Sequence, residues 1–570
     1  MKLLRLKIND LKGFRTLQQG FEVHFLRAWD YDEAGEFNPY ILAGPNGSGK
    51  SNILEALAAI FYHIECIYLN NLPESFAYEE EENPGGFQAE TANPDAFELE
   101  YFIPVPESLN DKNQEGNAHI KIEKKPKEKP QILWLNRNFF DDEGATQLEP
   151  IEVKDLLPKY IMGYSSGENE ILSLPFFKMR FIHFDEYKDC LIKSSGYSRP
   201  EGRLTFLDSE FSHAITLCNY LLQEKETLKP FLNEIGIEAI KEFRIAIRKY
   251  IDTDDKKNTE FPEALIEEKE DEVGTKRKVL DITQNLKAMI EKLKWCSTSQ
   301  YYDDDSETLY LDYWVNDATR EAFKLHFGTA IELFQTFQIL LTLNLYSVSE
   351  KQKKELYQSP SLYVNETVPV LSLDERVMHI KDFVLKKRGV KGIVEGKSLS
   401  DGEHQLMHSL GLCLIFKDDN CLILLDEPET HYNPDWRAKL ISRLRDCFQT
   451  GKAKTTMREM LITTHAPFLI SDSMKEYVLI FDKDKESNHV SVSRPNFETL
   501  GASINKITIE VFGKRETIGG YAEQKLNDLK KRFEKGADSE EIINETNKIL
   551  GDSVEKVLFI NKVLSSREGN

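Results

Sequence analysis

Gly44-Pro45-Asn46-Gly47-Ser48-Gly49-Lys50-Ser51 fits the pattern G-x-x-x-x-G-K-[ST] at every fixed position. Its flanks supply the context the pattern needs. Tyr40-Ile41-Leu42-Ala43 ahead of it is a short apolar run suited to a buried strand, and Asn52 to Phe61 behind it carries apolar residues at helical spacing. Strand, glycine-rich turn and helix follow in order, as a phosphate-binding loop requires. The glycines let backbone N–H groups turn inward on a triphosphate, and the helix start adds the positive end of its dipole. Lys50 then reaches the β- and γ-phosphates, and the Ser51 hydroxyl can ligand Mg2+.

A second group of motifs lies far downstream. Cys421-Leu422-Ile423-Leu424-Leu425-Asp426-Glu427-Pro428-Glu429-Thr430-His431 is an apolar strand pattern that delivers two carboxylates at its C-terminal end, the edge where open α/β sheets bind ligands. Asp426 can hold Mg2+, and Glu427 can orient an attacking water and accept its proton. Met460-Leu461-Ile462-Thr463-Thr464-His465-Ala466-Pro467 is another apolar strand, now ending in a histidine that can reach the γ-phosphate. Upstream of both, Ser398-Leu399-Ser400-Asp401-Gly402-Glu403-His404-Gln405 immediately precedes an apolar helix, Leu406 to Phe416.

The whole chain sets outer bounds. Its 570 residues exceed one ordinary core, so two to four units are expected. Lys and Arg total 73 against 96 Asp and Glu, a net charge of −23, which argues against an overall electrostatic glove for DNA. The seven cysteines show no C-x-x-C spacing and an odd count, so a reducing cytoplasm fits better than a disulfide framework or zinc ribbon. The N-terminus alternates charged and apolar residues, unlike a signal peptide, and no apolar run approaches a membrane span.

Residues 3 to 8 and 21 to 25 alternate as strands around a Lys12-Gly13-Phe14-Arg15 turn. Arg15 is either an exposed turn arginine or a phosphate contact. The Glu79–Glu82 run reads as a solvated loop, and Phe97 to Ile103 and Ile132 to Leu135 as further strands. The basic Lys121–Lys129 stretch is a solvated hairpin or, less favourably, a nucleic-acid contact. From about 205 to 345 helical spacing is expected over Phe206–Gln223, Ile237–Ile251, Val279–Leu293 and Arg320–Leu343, with acidic breaks at Asp252–Asp255 and Asp303–Asp305. Asp482 and Asp484 follow the strand pattern of Tyr477–Phe481 and read as a hairpin turn. Tyr521 to Ser565 is charged and helical by spacing, either docking a partner or capping the fold.

The order of phosphate loop, Leu399-Ser400-Asp401-Gly402-Glu403, Asp426-Glu427-Pro428 and Thr464-His465 resembles the ATP-binding-cassette superfamily, and within it the soluble RecF, SMC and overcoming-lysogenization-defect ATPases. Leu6 to Phe14 is similar to the first strand of those proteins, and Asp426-Glu427-Pro428-Glu429-Thr430-His431 to their D-E-P-E-x-H. The resemblance covers about 1 to 65 and 375 to 515. It implies an α/β ATPase head split by a helical insertion: an N-terminal lobe 1–200, the insertion 201–345, a C-terminal lobe 346–515 and a helical tail 516–570. It implies ATP and Mg2+ as cofactors, Glu427 as hydrolytic base, His465 as switch, and Ser400 to Glu403 capping the γ-phosphate of a second head in a head-to-tail dimer.

Two departures stand out. Asp401 takes the place of the transporters' glycine, as in soluble members, and the Q-loop glutamine is undecided between Gln88 and Gln131. Ser165-Ser166-Gly167-Glu168 is a rival signature that the family spacing rejects. More narrowly, head size, the insertion, Tyr164–Glu170 and Leu500–Ser503 resemble the restriction-system-associated ATPases of bacterial anti-phage loci, such as the Septu ATPase subunit and its retron-linked relatives. That resemblance implies a separate HNH nuclease as partner, with a retron reverse transcriptase and its DNA as a further one. No nuclease motif is evident in this chain, since Asp482 and Asp484 lack the rest of a Toprim pattern. The alternative is a DNA-repair or chromosome-type ATPase that binds duplex DNA directly.

Overall fold

A computed structural model describes residues 1–25, 37–70, 72–141, 145–166, 170–197, 199–200, 202–206, 209–253, 261–270, 276–359, 368–448, 456–513 and 518–568. The chain is mixed α/β, and a seven-stranded sheet organises it. Across that sheet the strands run Val490–Ser493, Val478–Lys483, Tyr40–Ala43, Glu459–Thr464, Cys421–Asp426, Tyr160–Ser165 and Leu204–Phe206. Every neighbouring pair is parallel except the hairpin at the first edge.

The central strands are apolar almost throughout because both faces of a parallel sheet are covered. Tyr40–Ala43, Cys421–Asp426 and Glu459–Thr464 are buried at every position. Alternate residues serve opposite cores: Ile41, Ile423, Leu425 and Ile462 pack on one face, and Leu42, Leu422, Leu424 and Leu461 on the other. Register then decides which side chains meet. Asp426 lies level with Thr463 on one side and Ser165 on the other, and Thr464 is level with Ala43 just before the phosphate loop.

An antiparallel sheet of five strands flanks this core, in the order Glu22–His24, Lys2–Ile8, Phe97–Pro104, Asn117–Lys124, Gln131–Trp134. Lys2–Ile8 and Phe97–Pro104 alternate buried and partly exposed residues, the pattern of a sheet covered on one face.

The region expected as a helical insertion, 201–345, is mixed instead. Leu204–Phe206 is the edge strand of the main sheet, and Ile237–Arg248 is a long strand rather than a helix. The expected Val279–Leu293 helix is a strand, Lys276–Asp281, followed after a short turn by a helix over Lys287–Cys296. Asp254 and Asp255 of the acidic break lie outside the described residues. The misreading has a physical source: Ile237, Ile240 and Phe243 are three apart like a helix face, but the pairing with Met378–Lys387 slips register three times. Over the slipped stretch the buried positions are Ile237, Ile240 and Phe243, three apart, after which Phe243, Ile245 and Ile247 return to period two.

Met378–Lys387 belongs to the segment expected as the C-terminal lobe, yet it pairs with Ile237–Arg248, so a break at 345/346 would cut a sheet. That sheet runs Ser299–Asp303, Thr308–Trp314, Ile237–Arg248, Met378–Lys387, Val394–Glu395. Beyond the core, helices Gly520–Glu534, Ser539–Ile549 and Val554–Glu568 share a small cluster of Leu526, Leu529, Ile542, Phe559 and Val563. Among the described residues no helix is long and apolar enough to cross a membrane.

Candidate functional site

The loop Gly44–Ser51 joins the Tyr40–Ala43 strand to a helix over Lys50–Tyr68. Two of its glycines are sterically required. At Gly44, with φ 146°, a Cβ would stand 2.2 Å from the Phe481 carbonyl oxygen, and at Gly49, with φ 93°, it would stand 3.0 Å from Thr16 Oγ1. Gly49 caps the helix without a side-chain hydrogen bond, so the first-turn N–H groups are left for another acceptor. The Ser48 hydroxyl is buried with no hydrogen-bond partner.

Lys50 is 5% exposed, and its ammonium donates to the carbonyls of Gly44 at 3.0 Å and Pro45 at 2.9 Å. Burial lowers its pKa to about 8, against the opposing pull of Glu427 and Asp426. Ser51, the next residue, donates through its hydroxyl to Asp426 Oδ1 at 2.7 Å, although the two are 375 positions apart. Thr463 Oγ1 donates to the same oxygen at 2.6 Å.

Glu427 has a left-handed backbone, φ 48°, unusual for a residue with a Cβ. Its N–H is held by both the carbonyl, at 3.2 Å, and the hydroxyl, at 3.1 Å, of Thr463. The turn throws the side chain off the strand end toward His465, whose Nε2 is 3.3 Å from Glu427 Oε1. The hydrogen bond from His465 holds the Glu427 carboxyl below its ordinary value; partial burial opposes this and Lys50 adds to it. A charged carboxylate, a buried ammonium, a hydroxyl–carboxylate pair and an imidazole thus converge at the carboxyl end of the sheet.

Ser400 to Glu403 are held by partners of their own. Ser400 caps the helix Asp401–Ile415 with a capping box: its hydroxyl accepts from the Glu403 N–H, and the Glu403 carboxylate accepts from the Ser400 N–H at 2.9 Å. Glu403 is also paired with Lys387. Gly402 packs on the end of the Asp-Glu-Pro-Glu loop, where a Cβ would lie 2.8 Å from the His431 carbonyl oxygen.

Three neighbours of the site have contacts that the sequence reading did not assign. Thr463 and Thr464 sit inside an apolar run, and their only signal was a pair of hydroxyls where a parallel strand reaches its carboxyl end. Ser166 belongs to the turn set aside as a rival signature; its N–H donates to the Asp426 carbonyl at 3.1 Å, and its hydroxyl is 2.8 Å from that of Thr430. Gly167 and Glu168 lie outside the described residues.

Neither glutamine considered for the Q-loop stands at this edge. Gln131 begins a strand of the antiparallel sheet, and Gln88 lines a cavity with Glu55, Ala59 and His63. Arg15, with φ 56°, reaches to 3.9 Å from Glu55 in the helix after the loop. Within the basic stretch, Lys124 is buried and donates to Asp95 Oδ1 at 2.7 Å and to the Glu90 carbonyl at 2.8 Å, a structural role. Asp484 accepts from the Ser487 N–H at 2.6 Å in the hairpin between Val478–Lys483 and Val490–Ser493. Among the described residues no three or more His, Cys, Asp or Glu side chains gather as a metal cluster.

No protein-family model matches the chain. It is similar to Protein ea59 of Escherichia phage lambda, 24% identical over 123 residues, which is 22% of this chain and 22% of that protein. The chain therefore matches only about a fifth of that relative's length. Solved structures similar to it include the Smc head domain with an extended coiled coil bound to the C-terminal domain of ScpA from Pyrococcus furiosus, at 13% identity and TM-score 0.31, covering 87% of this chain and 96% of that one. The SMC head domain from Thermotoga maritima has 12% identity and TM-score 0.30, covering 87% and 100%.

Proposed function

We propose that the chain binds ATP with Mg2+ and hydrolyses its β–γ phosphoanhydride. The observation that carries this is the meeting of Ser51 with Asp426 beside Lys50, Glu427 and His465. The residues suit the ligand. Ser48 has an unpartnered buried hydroxyl, Lys50 is parked on two loop carbonyls that a phosphate would replace, and the helix start has no side-chain cap. Ser51 and Asp426 form a hard oxygen pair that would hold Mg2+, which would supply charge neutralisation for the triphosphate.

The chain's own residues do the rest. Lys50, protonated below about pH 8, binds the β- and γ-phosphates. Glu427, ionised at neutral pH, orients a water and takes its proton on a carboxylate oxygen, while His465 holds that carboxylate through Nε2. Ser400 to Glu403 serve the triphosphate of a second copy in a head-to-tail dimer. On the same reading ATP turnover regulates a separate HNH-type nuclease in phage defence, a role that rests on the resemblance to restriction-system-associated ATPases.

Glu427→Gln tests the core of this. Loss of the general base should lower kcat by about 10²–10⁴-fold while leaving ATP affinity nearly intact. A wild-type protein that binds no ATP, or a Gln variant with undiminished turnover, overturns the reading. Co-purification tests the wider role: a nuclease subunit should accompany the chain from its native host, and nuclease activity of a partner-free preparation would contradict it.

A further inference from the structure

The Asp-Glu-Pro-Glu loop carries a third carboxyl group that the proposed reaction does not use. Glu429 is 4% exposed, and its Oε1 accepts a hydrogen bond from the Thr464 hydroxyl. That hydroxyl in turn accepts from the Ala466 N–H at 2.9 Å. Thr464 precedes His465 and Ala466 follows it, so one hydroxyl straddles the histidine and ties both sides of it to Glu429. The other carboxyl oxygen, Oε2, is buried with no partner. Burying a carboxyl group with half its hydrogen-bonding capacity unfilled costs free energy that an apolar side chain would avoid.

The two adjacent threonines divide the work. Thr463 joins the histidine strand to Asp426 and to the Glu427 N–H, and Thr464 joins it to Glu429. The carboxylate loop and the histidine strand are thereby pinned at two successive residues, and His465 is the next one along.

We propose that Glu429 is a positioning residue that acts through Thr464 to hold His465 against Glu427. The inference rests on the ATPase reading for its effect on turnover, but the brace itself is measurable without turnover. Hydrogen exchange over a peptide containing Thr463–Ala466 reads it directly. In Glu429→Leu and Thr464→Val the Ala466 amide should exchange at least about 10-fold faster, with the Cys421–Asp426 strand unchanged. Unchanged exchange at Ala466 overturns the brace whether or not the protein hydrolyses ATP.

Steady-state kinetics then read its consequence. Each variant should lose about 10-fold in kcat per nucleotide-binding protomer, with KM within about 2-fold. The double variant should lose no more than either single one, because both cut the same link. Thr464→Ser, which keeps the hydroxyl, should retain nearly full kcat. Multiplicative losses in the double variant, or a Ser variant as impaired as Val, would make these residues packing elements only and overturn the proposal. Faster exchange with unchanged kcat would overturn the role in positioning as well.

Discussion

At Lys50 the same burial that makes a cradle for phosphate also sets a pH limit. The folded, nucleotide-free protein releases this proton near pH 8 instead of the usual lysine value, whereas a bound triphosphate requires the ammonium. Affinity for ATP should therefore be flat below about pH 8 and fall about tenfold per pH unit above it. Fluorescent-nucleotide titrations between pH 6.5 and 9.5 would check this, and Lys50→Met should remove the break. Glu429 titrates with the opposite sense. Burial raises its carboxyl to about 7 from an ordinary 4.5, with the Thr464 hydrogen bond opposing. Below the unfolded value both states keep the proton and nothing is lost; as pH rises toward 7 the unfolded chain releases it first, so stability falls. Glu429→Gln removes that penalty. In urea melts it should gain on wild type by about 3 kcal/mol at pH 8, with the gap closing toward pH 4.5.

Among elements, the helix Asp401–Ile415 separates structural from catalytic effects. Ser400 is its N-cap, so Ser400→Ala should cost about 1 kcal/mol of stability through the lost cap alone. Against a total of about 5–15 kcal/mol that leaves nearly all molecules folded. A loss of turnover beyond a few per cent at unchanged urea midpoint slope would then report contact with a second copy's nucleotide. The elements also show what was legible. Tyr40–Ala43, Cys421–Asp426 and Glu459–Thr464 are strands buried on both faces, and continuous apolar runs ending in Gly, Asp-Glu and His announce both the strand and its functional end. Ile237–Arg248 hid because bulges break its period of two, and a bulge depends on the partner strand, 130 or so residues downstream by the chain numbering. Thr463 and Thr464 hid for a related reason: their meaning lies in register with Asp426 and in the loop opposite, neither of which periodicity encodes.

For the molecule as a whole, the head-to-tail reading predicts that a second copy completes the proposed site. In one chain Ser400 to Glu403 form a helix cap tied to Lys387 and the His431 loop, while Ser51 of the phosphate loop is tied to Asp426. If heads join head to tail, each nucleotide lies between the loop of one copy and the Ser400 turn of the other. Lys50→Ala disables a loop and Ser400→Arg disables a turn, so each variant alone is inactive. Mixed, they form heterodimers in which one of the two sites pairs an intact loop with an intact turn. A random equimolar mixture should recover up to about a quarter of wild-type turnover, since half the dimers are mixed and each carries one good site. Heads that work singly would leave Ser400→Arg active on its own, and mixing would add nothing beyond the mean of the two variants. With a net charge of −23 per chain, like-charged copies repel, so recovery should rise with salt as the Debye length shrinks from about 30 Å at 0.01 M toward about 8 Å at 0.15 M. The opposite salt trend would point to a polar, charge-complementary dimer interface that outweighs the net repulsion.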